Sequence, residues 1–457
     1  MTTLPSFVAA TDLVEATRRL VEAECRALWE RLRPYVARES AALAAGLDEL
    51  VARGVPDTAK VRHFAFVSRH LLRSLAYGRD LESMALSHFV VDGLAPGRLL
   101  QLHALRLLEA LLAAVLAPGA ARAPFTLRLD DVPAPSVWDL GIAGGLRAPT
   151  AGPGFTLRLD PRGLILDAGG PLVTRALPGG ASLSVDARYA HAPALLVGDD
   201  GGSARAFIHL PIHDRGLREP YAASAPIVRD PHVAAAWAMV LGRAVELARA
   251  ADPALTDESL LFAREALPLY HGRGQLFASA SNPDVLGYVY LPAVETAVDV
   301  AECFVHEAMH QKLFRLEACA PLFAPESPSE EAFYSPWRPD PRPLRMVLHG
   351  CFVFALVAHL WRRWATIELA DLPGRARAHE LAFRRCAEVL AGVALLRRYA
   401  LFTRHGARLV DEIEALTRAI LDELSISDGT RAEVNAALAA HRQRHVGRSR
   451  CSDPITF

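Results

Sequence analysis

Lysine is almost absent from this chain: of 50 basic side chains, only Lys60 and Lys312 are lysines, and the rest are arginine. Alanine is abundant as well, so the bias reads as GC-rich coding rather than a functional device. A dominant charge is also missing. Fifty Lys and Arg against 51 Asp and Glu leave a formal net charge of -1. No overall field gathers nucleic acid or an anionic membrane, and neither is expected as a partner. Cysteine is scarce, with six scattered residues and no CxxC pair. That pattern argues for free thiols in a reducing compartment over a disulfide framework. The N-terminal stretch MTTLPSFVAATDLVEATRRL has no basic segment followed by an apolar run, so no secretory signal is expected and the location reads as cytoplasmic. The longest apolar run, 346–361, carries His349 and His359 and falls short of the ~20 residues of a membrane span. What remains is a globular composition, 51% hydrophobic and 22% charged over 457 residues, enough for roughly two or three packed units.

Hydrophobic periodicity divides the chain. Leu13, Ala16, Leu20, Ala23 and Ala27 keep a helical stripe, and similar spacing runs through 99–116. From about 124 to 226, short alternating segments lie between Gly, Pro and Asp clusters, which is strand and turn chemistry. The hexamer FTLRLD occurs twice there, at 125–130 and 155–160, with Phe, Leu and Leu alternating against polar residues. Each copy suits a strand with one buried face. Further strands are expected at 164–167, 182–187 and 204–210, and a strand pair at 275–280 and 287–291. Helices are expected at 228–251, 257–266, 294–318 and 344–364, with more to 445. The expected class is α+β, mainly helical. A helical N-terminal region spans 1–122, a strand-rich region 123–227, and a helical metal-binding catalytic region 228–445, with a tail at 446–457.

Within the helix expected at 294–318, His306-Glu307-Ala308-Met309-His310 forms an HExxH sequence. At ~100° per residue the two His lie on one face a single turn apart, so both imidazoles can reach one metal ion. Glu307 is offset enough to act as a base or to bind a group beside the metal. Three polar side chains inside an apolar helix need a common reason to be buried.

A third ligand is needed. The metzincin continuation would require Gly and His where Leu313 and Leu316 stand, which excludes that family. Glu330 and Glu331 are at a plausible distance but follow a Ser/Pro-rich loop. Glu317 is nearly two turns past His310, too far along to share the metal. His349, in the apolar helix at 344–364, is the better candidate, because a second helix crossing the first could supply it. His359 reads as structural. Between the helices lies Tyr334-Ser335-Pro336-Trp337-Arg338-Pro339-Asp340-Pro341-Arg342-Pro343. Its four prolines stiffen a segment that can wall a metal pocket and present guanidinium groups to a carboxylate. Arg345 is one turn before His349 on the same face and could point toward a metal-bound anion.

With HEAMHQ, YSPWRPDPRP and LHG in this order, the sequence resembles the bacterial HExxH-domain proteins encoded beside ribosomally synthesised peptide natural products. Within that group it looks like the 2-oxoglutarate-dependent peptide β-hydroxylases. The match covers about residues 285 to 365. The resemblance implies Fe(II) held by His306 and His310, with His349 as third ligand. It implies 2-oxoglutarate and O2 as co-substrates, and hydroxylation of a side-chain β-carbon of a ribosomally made precursor peptide. Arg338, Arg342 or Arg345, with Tyr334 in the same segment, would bind 2-oxoglutarate. Glu307 would order water or a neighbouring group. An edge of the strand-rich region could hold the peptide in extended form. The competing enzyme reading is a zinc metallopeptidase with Glu307 as general base. A third is a peptide-binding protein with a structural metal, suggested by Cys303 and Cys351 close in sequence to the histidines.

Overall fold

A computed structural model describes residues 10–56, most of 61–72, 96–116, 123–130, 137–139, 145–147, 154–177, 180, 182–187, 198–199 and 204–205. It also describes 231–269 except 264, 279–293 except 284 and 285, and 296–444 except 330 and 370. The chain is mainly helical α+β. Helices α1 (Ala10–Glu39), α2 (Ala41–Arg53) and α3 (Pro96–Val115) open it, and the described residues within 61–72 are helical too. The Ser40 hydroxyl caps α2 by accepting from the Leu43 N–H at 3.2 Å.

The strands that follow are β1 (Phe125–Leu129), β2 (Val137–Asp139), β3 (Gly145–Arg147), β4 (Phe155–Asp160), β5 (Gly163–Asp167), β6 (Leu172–Ala176), β7 (Ser182–Asp186), β8 (Gly198–Asp199) and β9 (Ala204–Arg205). A five-stranded sheet has the order β1-β4-β5-β7-β6. The two FTLRLD copies pair with each other, antiparallel, with Phe125 opposite Leu159 and Leu129 opposite Phe155. Their Phe and Leu side chains point inward and join α1, α2 and α3 in one hydrophobic core. Alternation in the sequence became a one-sided sheet because helices cover that side. Gly163 is required by close approach, since a Cβ there would meet the Ser182 carbonyl. Of the strand expected at 204–210, 206–210 lie outside the described residues, as do 275–278 of the strand expected at 275–280.

The second half begins with α4 (Pro231–Ala251) and α5 (Pro253–Phe262). The Asp252 carboxylate caps α5 and also takes a hydrogen bond from His359 Nε2 at 2.8 Å, which gives that buried histidine a structural post. Residues 265–266, expected as the end of a helix, instead open strand β10 (Glu265–Leu269). This strand runs parallel to β12 (Tyr288–Pro292), which also pairs with β11 (Ala280–Ser281). Parallel pairing decided the outcome, as an apolar run of this length does not distinguish strand from buried helix.

The motif helix α6 (Ala297–Cys319) follows, then α7 (Leu344–Trp364), α8 (Arg375–Tyr399), α9 (Arg404–Glu423) and α10 (Asp428–Gln443). Helices α6 to α9 share a second core with α4, α5 and the start of α1. Arg315 on α6 donates to the Thr17 hydroxyl of α1 at 2.8 Å and ties the motif helix to the N-terminal helix. By length and composition α7 could cross a membrane, yet 78% of its apolar window is buried inside the protein. It serves as the central rod of the second core.

Candidate metal centre

α6 is buried nearly all round, from Val298 to Leu316, so its polar residues are held by neighbours rather than water. His306 and His310 present their Nε2 atoms to each other at 3.1 Å. That separation suits two adjacent ligands of one small cation, each ~2.1 Å from it. Desolvation pushes the His306 imidazole down to about 3, with the Arg385 charge adding to it. His310 is likewise driven well below its ordinary value by burial, then by its histidine neighbours. Both rings are therefore neutral at ordinary pH and can offer lone pairs. Glu307 lies beside them, Oε1 3.9 Å from His306 Nε2. Burial raises its carboxyl to about 7, against hydrogen bonds from the Ser279 and Ser281 hydroxyls. The Ser279 bond is 2.6 Å long.

Among the described residues, no three His, Cys, Asp or Glu side chains close into a ready-made metal cage. The histidine pair is an open seat with two nitrogens. The donor set fits a divalent cation that accepts imidazole, Fe(II) or Zn(II).

His349 is fully buried and close, but on the other side of His310: its Nδ1 is 3.1 Å from Nδ1 of His310. Its Nε2 is 3.2 Å from Oε2 of Glu317 without forming a well-aligned hydrogen bond. In this rotamer His349 lies behind His310, away from the space between the two Nε2 atoms. Glu317, set aside in the sequence as too distant from the metal, reaches the site through His349. It also holds Arg345, whose Nε and Nη2 donate to the carboxylate at 2.9 and 2.6 Å. Arg345 and His349 do share a face of α7, as their spacing implies, but they share it around Glu317. Burial raises the Glu317 carboxyl, and its contacts with His349 and Arg345 more than offset this, leaving it below the usual range.

The Pro-rich loop closes on itself through paired backbone hydrogen bonds between Phe333 and Arg342, both 2.8 Å. Asp340 inside the loop engages Arg342 at 2.7 Å and Arg338 at 3.5 Å. The Tyr334 hydroxyl is 3.1 Å from His441 Nδ1 on α10. None of these contacts brings Arg338, Arg342 or Tyr334 to the histidine pair. The loop contributes Trp337 instead. Its ring stacks on Phe354 with centroids 5.1 Å apart, and Phe354 meets His306 edge-on at 4.7 Å. Gly350 makes room for the indole, since a Cβ there would be 2.5 Å from it, and Gly392 on α8 flanks the same ring.

Sequence reasoning missed a half-buried cation beside the site. Arg385 on α8 lies over the Phe354 ring at 4.6 Å and bonds Glu302 at 3.1 Å and Glu388 at 3.0 Å. Glu302 also accepts from Trp361 Nε1 at 2.8 Å. Nothing at position 385 announces this role, because α8 docks on α6 and α7 only in the folded chain. Glu317 did leave a signal: seven residues past His310 returns to within ~20° of the same helix face. Glu331 is partly buried in the loop segment before Phe333, and Glu330 lies outside the described residues. Cys303 and Cys351 are buried thiols whose ionisation desolvation pushes up, which does not suit a thiolate ligand. No protein-family model and no curated protein matches this sequence.

Proposed function

We propose that this chain is an Fe(II)- and 2-oxoglutarate-dependent oxygenase that hydroxylates a side-chain β-carbon of a ribosomally made precursor peptide, in a reducing cytoplasm. One observation carries the metal centre: two neutral imidazole Nε2 atoms 3.1 Å apart on a buried helix, with a carboxyl group alongside. The choice of reaction rests on the HEAMHQ, YSPWRPDPRP and LHG resemblance. Bound iron would supply the oxidising chemistry, with 2-oxoglutarate and O2 converted to succinate and CO2 as one oxygen atom enters a Cβ–H bond.

The chain's own residues have simpler tasks. His306 and His310 hold the cation. Phe354, Trp337 and Phe314 wall the histidines with aromatic surface and limit water. Ser279 and Ser281 fix the Glu307 carboxyl, which can hold a proton or order a water beside the metal. Arg385, held by Glu302 and Glu388, packs its guanidinium on Phe354 behind His306. For the peptide, β6 is the outer strand of the five-stranded sheet and exposes Leu172 and Val173, a surface suited to an extended chain.

A specific observation supports a second reading, a zinc peptidase. Glu307, raised to about 7 and 3.9 Å from His306 Nε2, has the proton affinity a general base needs near neutral pH. One experiment separates the two. Fe(II)-loaded protein is incubated with O2, a precursor peptide and either 2-oxoglutarate or none. Gain of one oxygen atom by the peptide with matching succinate supports the oxygenase. Peptide cleavage without 2-oxoglutarate supports the peptidase and overturns the first reading.

A further inference from the structure

We propose that Glu317 and His349 are positioning residues that set the proton on the metal ligand His310, and that His349 is not itself a ligand. The inference rests on the metal-centre reading and concerns which nitrogens carry hydrogen.

The chain of contacts starts at the carboxylate. Glu317 is held in place by three hydrogen bonds from Arg345, at 2.9, 3.1 and 2.6 Å, and turns Oε2 toward His349 Nε2 at 3.2 Å. A carboxylate accepts and does not donate, so a neutral His349 suits this contact with its proton on Nε2. Its Nδ1 is then a lone pair, and the facing Nδ1 of His310, 3.1 Å away, must supply the hydrogen between them. That leaves His310 with an unprotonated Nε2, aimed at the space it shares with His306 Nε2. This is the tautomer a metal requires. The reverse assignment would face a lone pair toward the carboxylate and put an N–H in the metal seat. Both terms oppose binding.

The geometry also keeps His349 off the metal. The two nitrogens of an imidazole point in divergent directions, so a group touching Nδ1 of His310 is behind the ring as seen from an ion on Nε2. Phe314 packs against His349 at 4.8 Å and against His310 at 6.0 Å between centroids, which holds the two rings in this order. The arrangement is the carboxylate–histidine–metal pattern lengthened by one histidine.

Two measurements test it. The first uses the metal-free wild-type protein labelled with ¹⁵N-histidine, and reads tautomers by NMR. Protonation of His310 at Nδ1 and His349 at Nε2 is expected; protonation of His310 at Nε2 overturns the proposal. The second is Zn(II) affinity by competition with a chromophoric chelator. Glu317→Gln, nearly isosteric, and His349→Ala should each weaken binding by on the order of 10- to 100-fold. His349→Asn should recover most of that loss, because its amide oxygen can accept from His310 Nδ1. Adding Glu317→Gln to His349→Asn should then cost no further affinity. Failure of Asn to rescue, with a loss as complete as in His310→Ala, would make His349 a ligand and refute the relay. Unchanged affinity in Glu317→Gln refutes it as well. If His306→Ala and His310→Ala both keep wild-type affinity, the metal-centre reading fails, whatever the tautomers are.

Discussion

Replacing Glu307 by Gln in the metal-free protein should stabilise it at pH 8 far more than at pH 5. Burial raises this carboxyl from its ordinary value of 4.5 to about 7, even against the hydrogen bonds from Ser279 and Ser281. An acid with a raised folded value holds its proton more tightly in the fold than in the unfolded chain. Its stabilising contribution is complete below about 4.5 and is lost as pH rises through about 7. At ~1.36 kcal/mol per pKa unit the whole shift is worth about 3 kcal/mol, most of it lost between pH 5 and 8. Gln is neutral throughout, and its carbonyl can still accept from the Ser279 hydroxyl. Urea unfolding in the presence of a chelator provides the assay. Tryptophan fluorescence reports on the relevant core, which contains Trp237, Trp361 and Trp364. The stability gap between variant and wild type should widen by about 2.5 kcal/mol from pH 5 to pH 8. A gap independent of pH would mean that the serine hydroxyls compensate the burial of the charge, and the account of Glu307 would be wrong.

The histidines give the opposite slope. His306 is held neutral down to about 3, so the unfolded chain takes up protons first as pH drops below about 6.5. Stability should therefore fall from there toward pH 3, and thermal melts of His306→Gln should show a shallower fall. Gly350→Ala would force a Cβ to within 2.5 Å of the Trp337 ring. A loss of about 1–3 kcal/mol is expected, with a change in Trp337 emission; native emission at full stability would contradict the packing. Arg385→Met removes the shared partner of Glu302 and Glu388. Denaturant midpoints should report a loss of about 3 kcal/mol, and Arg385→Lys should not restore it, because an ammonium cannot span both carboxylates as the planar fork does.

Much of the scaffold was legible because its signals are local. The HExxH helix and the 344–364 helix show themselves by apolar content, and the two FTLRLD copies by alternation. The chemistry was only partly so. His306 and His310 are one helical turn apart, so their convergence follows from backbone geometry alone. His349 could be brought to the pair by spacing and helix crossing, but which side of His310 it takes depends on side-chain packing around Phe314. Arg338 and Arg342 looked available for a small dicarboxylate. In the fold, the loop's own Asp340 engages both, a pairing that becomes visible once Phe333 and Arg342 close the loop.

By itself, then, the sequence determined a mainly helical chain without dominant charge, a pair of histidines facing one way, and an aromatic, proline-stiffened loop between two apolar helices. Each of these depends on residues close together along the chain, where periodicity and steric preference operate. Tertiary structure decided the rest: that Glu317, two turns beyond the motif, is joined to it through His349; that Gly350 admits Trp337; and that Arg385 stands beside His306. These are contacts between helices, fixed by how α6, α7 and α8 pack, and no spacing within a single helix encodes them.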